Sequence, residues 1–303
     1  MLDAEVAFLP YASWPLFLAL MLALWPPRCA VAPASPRTAS AAGGVYARWG
    51  PACAPGQPDD PGTAWGLMGH ETTDYPSSAS DRNFNMALAS RRLCGTTVAP
   101  GGVFSFNGSL GQAGQAQGFR QGRVFIGDRI VAGYGGGVCQ VASTIYNAAI
   151  RAGLPIVERH QHGLTVPYLL PGEDATISYG ALDLRVLNDT GGPIRLVTAA
   201  RGGRVTAEFF GTRQPPETLW RHRELGRSGF YTIRTRDPQL ARGRQEVDAP
   251  GQEGVTVHTW LDRVWPDGRR ETLDLGVDSY RPSPRIVRVG SGDHSAQSGR
   301  AAG

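Results

Sequence analysis

Apolar positions recur at helical spacing in two stretches of the chain. The stretch 81–93 carries apolar residues on one face and is followed by Gly95, a common residue just beyond a helix end. The stretch 138–152 is more regular, and Gly153 follows it as a second stop signal. Its apolar positions are Val138, Val141, Ala142, Ile145, Ala149 and Ile150. Both stretches are therefore predicted to be helices.

Shorter segments of alternating or β-branched residues predict strands. The clearest pair is 124–126 and 130–131, which a three-residue connection containing Gly127 joins as a hairpin. The glycine-rich run 133–137 is predicted to interrupt any regular element. The other predicted strands lie within 98–106, 176–179, 184–187, 194–199 and 204–210.

These elements predict an α+β fold class, with a β-rich domain in which a helix starts at Cys139. Residues 71–213 are predicted to form this domain, and residues 214–290 to form a small β-rich extension after a proline-rich break. Residues 33–70 are rich in Ala, Pro and Gly and are predicted to be a linker. Residues 291–303 are polar and are predicted to be a disordered tail.

The first 32 residues have the pattern of a targeting segment. Residues 6–27 carry no charge, and Ala30-Val31-Ala32 has the small-x-small spacing of a signal-peptidase site. Asp3 and Glu5 are acidic where a signal peptide usually carries basic residues, so an uncleaved single membrane anchor is the alternative. Either way, the protein is expected to be exported to the cell envelope, secreted or membrane-anchored.

The amino-acid composition excludes several classes of protein and of catalytic site. The chain has 303 residues, of which 40 are Gly and 23 are Pro, and this content argues against a helical bundle. All 30 basic residues are arginine. The absence of lysine excludes a phosphate-loop lysine, a Schiff-base lysine and a Ser–Lys dyad. A net charge of +4, scattered along the chain, does not indicate a nucleic-acid partner.

The cysteine count is informative in an exported protein. If cleavage removes Cys29, three cysteines remain, and an odd number leaves one thiol free. Cys53 and Cys94 could pair with each other. Cys139 is then the thiol whose chemistry needs explanation.

Cys139 follows three glycines and lies in the first turn of the second predicted helix. Backbone N–H groups and the helix dipole favour a thiolate at that position. The same N–H groups can stabilise the oxyanion that forms when a carbonyl is attacked, and the glycines allow a substrate to approach. The alternative is a small buried cysteine without a chemical role.

Two histidines lie about twenty residues after Cys139. His160 and His162 follow the predicted strand 156–157, and residues two apart on an extended segment share a face. Either could act as a base, and a zinc site with Cys139 is the competing interpretation. Because the spacing fits no dedicated zinc signature, no metal and no cofactor are predicted. Asp174 could orient a histidine as the third member of a triad, or cap a turn.

Several blocks of the stretch 72–211 occur together in a characteristic order. They are Asn83-Phe84-Asn85, 100–107, the long block 135–148, Gly153-Leu154, Glu158-Arg159 with His162, 174–176, and 183–186 with Asn188. In these blocks the stretch resembles the VanW domain family of bacterial envelope proteins. The chain differs from the family pattern at Gly163, where serine is usual, and at Glu173, where arginine is frequent.

The resemblance implies a function in the cell wall similar to that of L,D-transpeptidases, which form peptidoglycan cross-links through an active-site cysteine and histidine. On this basis, Cys139, His162 and Asp174 are expected to be catalytic. The residues expected to bind substrate are Gly136, Gly137, Gln140, Ser143, Arg159 and His160.

The first functional hypothesis is an exported cysteine acyltransferase that acts on peptidoglycan stem peptides through an acyl-enzyme on Cys139. One alternative is a non-catalytic wall-binding or accessory module of glycopeptide resistance. Another is a cysteine peptidase or amidase of the cell wall. The joint presence of Cys139 and His162 favours the enzymatic hypotheses over the binding module.

Overall fold

The computed structural model describes residues 65–75, 80–126 and 129–292. The predicted targeting segment, most of the predicted linker and residues 293–303 of the predicted C-terminal tail lie outside these residues. Ser291 and Gly292, which were predicted to be disordered, belong instead to the last strand. Among the described residues, no helix is long and apolar enough to span a membrane.

The first part of the described chain mixes short strands with three helices. Its elements are β1 (Gly66–Asp74), α1 (Ser80–Leu93), β2 (Thr97–Val98), β3 (Val103–Ser105), α2 (Phe106–Leu110), a 3₁₀ turn (Gln115–Gln117), β4 (Gln121–Ile126), β5 (Arg129–Tyr134), α3 (Val138–Arg151), β6 (Ile156–Glu158), β7 (Arg185–Leu187), β8 (Ile194–Arg201) and β9 (Arg204–Gly211).

The second part consists of strands. They are β10 (Glu217–Ser228), β11 (Thr232–Ala241), β12 (Gln245–Gln252), β13 (Gly254–Val264), β14 (Arg270–Tyr280) and β15 (Ser283–Gly292). They form two three-stranded sheets, with the orders β10-β13-β14 and β11-β15-β12. The predicted β-rich C-terminal extension is confirmed.

A four-stranded antiparallel sheet with the order β1-β9-β8-β2 supports the first part. Helices α1 and α3 pack on this sheet. Strand β1 starts at Gly66, inside the stretch expected to be a linker, and pairs along its length with β9. The last residues of that stretch therefore belong to the folded domain.

Helix α3 lies at the centre of the core. Twelve of its fourteen residues are buried, so it is enclosed by protein on nearly every side. The helix ends where the N–H groups of Gly153 and Leu154 donate to the carbonyls of Ile150 and Ala149. Gly153 has φ +71°, the left-handed conformation that glycine accepts most readily, and this agrees with its role as a predicted stop signal.

Three local predictions differ from the structure. The segment 98–106 contains two short strands, and Phe106 begins α2, because the Ser105 side chain caps that helix by accepting from the Gly108 N–H. Strand β5 continues through Gly133 to Tyr134 before the glycine turn. The segment 176–179 forms isolated bridges instead of a strand, with Thr176 opposite His160 and Ser178 opposite Leu182.

The contact between β1 and α3 yields the first testable prediction. A Cβ on Gly69 would lie 2.4 Å from the Ala152 nitrogen and 2.5 Å from the Ala148 oxygen, both backbone atoms. We expect Gly69→Ala to lower the free energy of unfolding by about 1–3 kcal/mol, as overpacking does elsewhere. Urea denaturation would measure this.

Gly66→Ala on the same strand is the control, because the nearest atom to its added Cβ would be 4.0 Å away. Equal effects of the two substitutions would contradict the packing described here.

Candidate active site

A tight glycine turn leads into α3. Gly135 and Gly137 have φ +79° and +102°, and a Cβ on Gly136 would lie 2.7 Å from the Arg123 carbonyl oxygen. The N–H groups of Val138 and Gln140 donate to carbonyls of this turn. The N–H of Cys139, between them, has no acceptor among the described residues, and it is therefore available to an oxyanion.

Cys139 is a free, half-buried thiol in the first turn of α3. Its sulfur lies 3.7 Å from the Thr176 Oγ1 and 3.9 Å from the Ile177 carbonyl oxygen. Burial alone would raise the pKa of the thiol, but a hydrogen bond and the positive charge of His162 outweigh burial and lower it. Cys94 takes part in a disulfide bond. Cys53, its expected partner, lies outside the described residues.

His162 is buried between Cys139 and Asp174. Its Nδ1 lies 2.5 Å from the Asp174 Oδ2, and its backbone N–H donates to the same oxygen at 2.8 Å. Burial would lower the pKa of the imidazole, whereas Asp174 and the thiol outweigh burial and raise it to about 9. A lowered thiol pKa and a raised imidazole pKa together favour a thiolate–imidazolium pair.

Asp174 is fully buried and is surrounded by donors. Besides His162, the Arg159 Nη2 lies 3.2 Å from Oδ1, and the Tyr280 hydroxyl donates to the same oxygen. Burial would raise the pKa of the carboxyl, but His162, Arg159 and Tyr280 together lower it. Asp174 is therefore ionised, and its ring of donors fixes the position and the tautomer of His162.

Strand β14 supplies part of this ring of donors. The Asp278 carboxylate accepts two hydrogen bonds from the Arg159 Nη1, at 2.8 and 2.6 Å. The Tyr280 hydroxyl also accepts from the Gly172 N–H at 2.8 Å. Both β14 residues lie more than a hundred positions after Asp174, and nothing in their local sequence indicates a role at a distant site.

Some of the expected substrate-binding residues have internal partners. Arg159 also donates from Nε to the Asp174 carbonyl oxygen at 2.7 Å, so it positions Asp174. The Ser143 hydroxyl donates to the Cys139 carbonyl oxygen and accepts from the Ala175 N–H, both at 2.9 Å. It thereby ties α3 to the segment that carries Asp174.

His160 and His162 do not lie on the same face of the segment that follows β6. The His160 ring is 38 % exposed and lies 3.0 Å from the Glu158 carboxylate, whereas the His162 ring is buried. The expectation of a common face is wrong because β6 ends at Glu158, so the alternation of an extended strand does not continue. In the part of the chain that the structure describes, no three His, Cys, Asp or Glu side chains are grouped to hold a metal ion.

A cleft of about 230 Å³ opens at the glycine turn. Gly136, Gly137 and Gln140 line it, as expected for substrate-binding residues. Its wall also contains three residues that the sequence did not single out, namely Arg82, Arg123 and Tyr168. No Asp or Glu is among the described residues that line the cleft.

Two family models match the described part of the chain. Residues 81–210 match the family model for VanW like protein, and residues 228–291 match the model for the G5 domain. The chain contains a VanW-like domain followed by a G5 domain. The predicted VanW resemblance is therefore confirmed. Cys139, His162 and Asp174 belong to the VanW-like domain, whereas Asp278 and Tyr280 belong to the G5 domain.

Two curated relatives each match about half of the chain. Uncharacterized protein YoaR of Bacillus subtilis (strain 168) is 36 % identical over 143 residues, which are 47 % of this chain and 47 % of the relative. Vancomycin B-type resistance protein VanW of Enterococcus faecalis (strain ATCC 700802 / V583) is 27 % identical over 155 residues, which are 49 % of this chain and 56 % of the relative. The chain spans about half the length of these relatives.

Among solved structures, the IgA1 protease G5 domain is 25 % identical to this chain. The match covers 27 % of this chain and 99 % of that one, with a TM-score of 0.18.

The ion pair predicts a specific pH profile of thiol reactivity. Alkylation of Cys139 should remain fast below the ordinary thiol pKa of about 8.5, because the thiolate forms at lower pH. In His162→Ala the strongest of the effects that oppose burial are lost, so the thiol pKa rises and the profile should move to higher pH. His160→Ala is the matched control and should leave the profile unchanged. Rates of iodoacetamide labelling, followed by mass spectrometry, would measure this, and a larger shift in the His160 variant would contradict the assignment.

The hydrogen bonds of Tyr280 in β14 predict that the loss of its hydroxyl lowers the stability of the protein. Tyr280→Phe deprives buried Asp174 of a donor and the Gly172 N–H of an acceptor. We expect the free energy of unfolding to fall by about 1–3 kcal/mol, the cost of leaving buried polar groups unsatisfied. Ser279→Ala, at the exposed neighbouring position, should change it by less than about 0.5 kcal/mol. Urea denaturation of the full chain would compare the two, and equal effects would refute the role of Tyr280.

Proposed function

We propose that this protein is an exported cysteine acyltransferase that acts on peptidoglycan stem peptides. The observation that carries the proposal is the position of His162, which contacts the Cys139 thiol on one side and the buried Asp174 carboxylate on the other. A nucleophile, a base and a group that orients the base form the general arrangement for acyl transfer.

The first half of the reaction forms a thioester. The Cys139 thiolate attacks the carbonyl carbon that joins the third and fourth residues of the stem peptide, so a C–S bond forms. The oxyanion accepts a hydrogen bond from the Cys139 N–H. When the C–N bond breaks, the His162 imidazolium gives its proton to the departing amine, and the fourth residue leaves as a free amino acid.

The second half restores the ion pair. The amine of a neighbouring stem peptide attacks the thioester carbon, and neutral His162 takes a proton from that amine. The C–S bond then breaks, and the thiolate and imidazolium are regenerated. With water as the acceptor the same steps give hydrolysis, so access to the acceptor decides between transferase and peptidase.

The similarity to known proteins supports a cell-wall setting. One relative is named a vancomycin B-type resistance protein, and vancomycin resistance concerns the cell wall. G5 domains are associated with binding to the cell wall and to glycans. A G5 domain joined to the VanW-like domain would hold the thiol at its polymeric substrate outside the cytoplasm.

The same G5 domain favours a second candidate function, a wall-binding accessory module without catalysis. In that case the chain would bind wall material and Cys139 would never become acylated.

Incubation with a stem tetrapeptide followed by mass spectrometry separates the two candidates. We expect the wild-type protein to gain the mass of the acylating tripeptide on Cys139 and to release the fourth residue. Cys139→Ala and His162→Ala should abolish the adduct, because they remove the nucleophile and the proton carrier, whereas His160→Ala should retain it. An adduct that persists in Cys139→Ala would contradict the mechanism. Wall binding without any adduct would favour the accessory module.

A further inference from the structure

Arg82 is a cation of the cleft that has no carboxylate partner among the described residues. Arg82 of α1 lines the cleft beside Cys139 and forms no ion pair with any described carboxylate. Its Nη2 donates to the Gln140 Oε1 at 2.7 Å, and its Nη1 donates to the Met86 Sδ at 3.5 Å. A guanidinium has five N–H donors, so three remain without a partner among the described residues.

The position of Arg82 is fixed close to the nucleophile. It contacts Gln140, the residue directly after Cys139, and a Cβ on Gly137 would lie 2.9 Å from its Cγ. Gln140 is itself immobilised, because its amide nitrogen donates to the Thr73 hydroxyl at 2.9 Å and to the Asp74 carbonyl oxygen at 3.0 Å. The guanidinium is therefore held across the start of α3 by its neighbours.

The charges of the described residues that line the cleft favour a bound anion. Arg123 lies at the same cleft, also without an ion-pair partner among the described residues, and none of the described lining residues is acidic. A half-buried guanidinium without a carboxylate partner among the described residues carries a desolvation cost that a bound carboxylate would offset. A volume of about 230 Å³ suits a short group, since clefts for larger ligands span roughly 300–1,000 Å³.

We propose that Arg82 binds the free α-carboxylate of the residue that leaves when Cys139 attacks. This inference rests on the proposed acyl transfer. The leaving residue is joined through its nitrogen to the scissile carbonyl carbon, and three bonds of about 1.3–1.5 Å separate that carbon from its carboxylate carbon. A cation beside the nucleophile is thus placed for this group. The substrate class is a peptide with one residue beyond the scissile bond and a free C-terminal acid.

Two small alkylating agents test the anion site without any peptide. Iodoacetate and iodoacetamide both transfer their carbon to the Cys139 sulfur and release iodide, but only iodoacetate carries a carboxylate. The ratio of their rates cancels changes in the thiol pKa, because both agents need the same thiolate. We expect the wild-type ratio of iodoacetate to iodoacetamide to exceed that of free cysteine.

Arg82→Gln should lower this ratio about tenfold, as expected for the loss of a charge-assisted hydrogen bond. Arg82→Lys should retain most of it, which distinguishes lost charge from lost structure. Arg91→Gln is the matched control, because Arg91 lies exposed on the same helix. An unchanged ratio in Arg82→Gln would overturn the proposal.

A peptide experiment connects the anion site to the reaction. A stem tetrapeptide with a free C-terminal acid should acylate Cys139 about tenfold faster than its C-terminal amide, and Arg82→Gln should remove the difference. Equal rates for acid and amide in the wild type would refute the role of Arg82 and leave the acyltransferase standing. If neither peptide acylates Cys139, the acyltransferase fails, and the alkylation ratio still decides whether Arg82 binds an anion.

Discussion

Asp174 buries an ionised carboxylate, and a protein tolerates a buried charge only when donors and opposite charges replace the lost water. Its carboxylate oxygens accept hydrogen bonds from the backbone N–H and the ring Nδ1 of His162, from the guanidinium of Arg159 and from the hydroxyl of Tyr280. Removal of any of these groups would leave the charge less compensated. The contacts of Asp174 therefore fix the position of His162, whose imidazole lies against the thiol of Cys139.

The same constraint joins the two domains of the described chain. Asp278 and Tyr280 come from β14 of the G5 domain, yet they complete the surroundings of a carboxylate in the VanW-like domain. At the other end of α3, the Arg263 Nη2 lies 3.4 Å from the Ile150 carbonyl oxygen, and a Cβ on Gly153 would lie 2.7 Å from Trp265. The C-terminal strands thus contact the surroundings of Asp174 and also the C-terminal end of α3, the helix that carries Cys139. The G5 domain is part of the framework of the site as well as a candidate wall-binding module.

The amino-acid sequence alone predicts those features of the structure that depend on local residue patterns. Helix α3, the glycine turn before it and the position of Cys139 in its first turn follow from apolar spacing and from the conformations that glycine accepts. Tyr280 could not be found in this way, because its partner is 106 residues away and the pairing arises when β14 packs against the VanW-like domain. The family resemblance implies that Arg159 binds substrate. The structure adds that its guanidinium contacts the carboxylates of Asp174 and Asp278, and sequence spacing does not reveal these tertiary contacts.

The two cationic residues near Cys139, Arg82 and His162, differ in how readily they lose a proton. All 30 basic residues of the chain are arginine. Burial lowers the pKa of a cationic side chain, and a lysine in the position of Arg82 would lose its proton far more readily than a guanidinium does. Burial does lower the pKa of Arg82, but an arginine begins from so high a value that it stays charged. The cleft can therefore keep a permanent positive charge beside Cys139, whereas in the proposed reaction the charge of His162 changes as it carries the proton. One cation is suited to hold an anionic group in place and the other to move a proton, and the difference in their intrinsic pKa values keeps these roles separate.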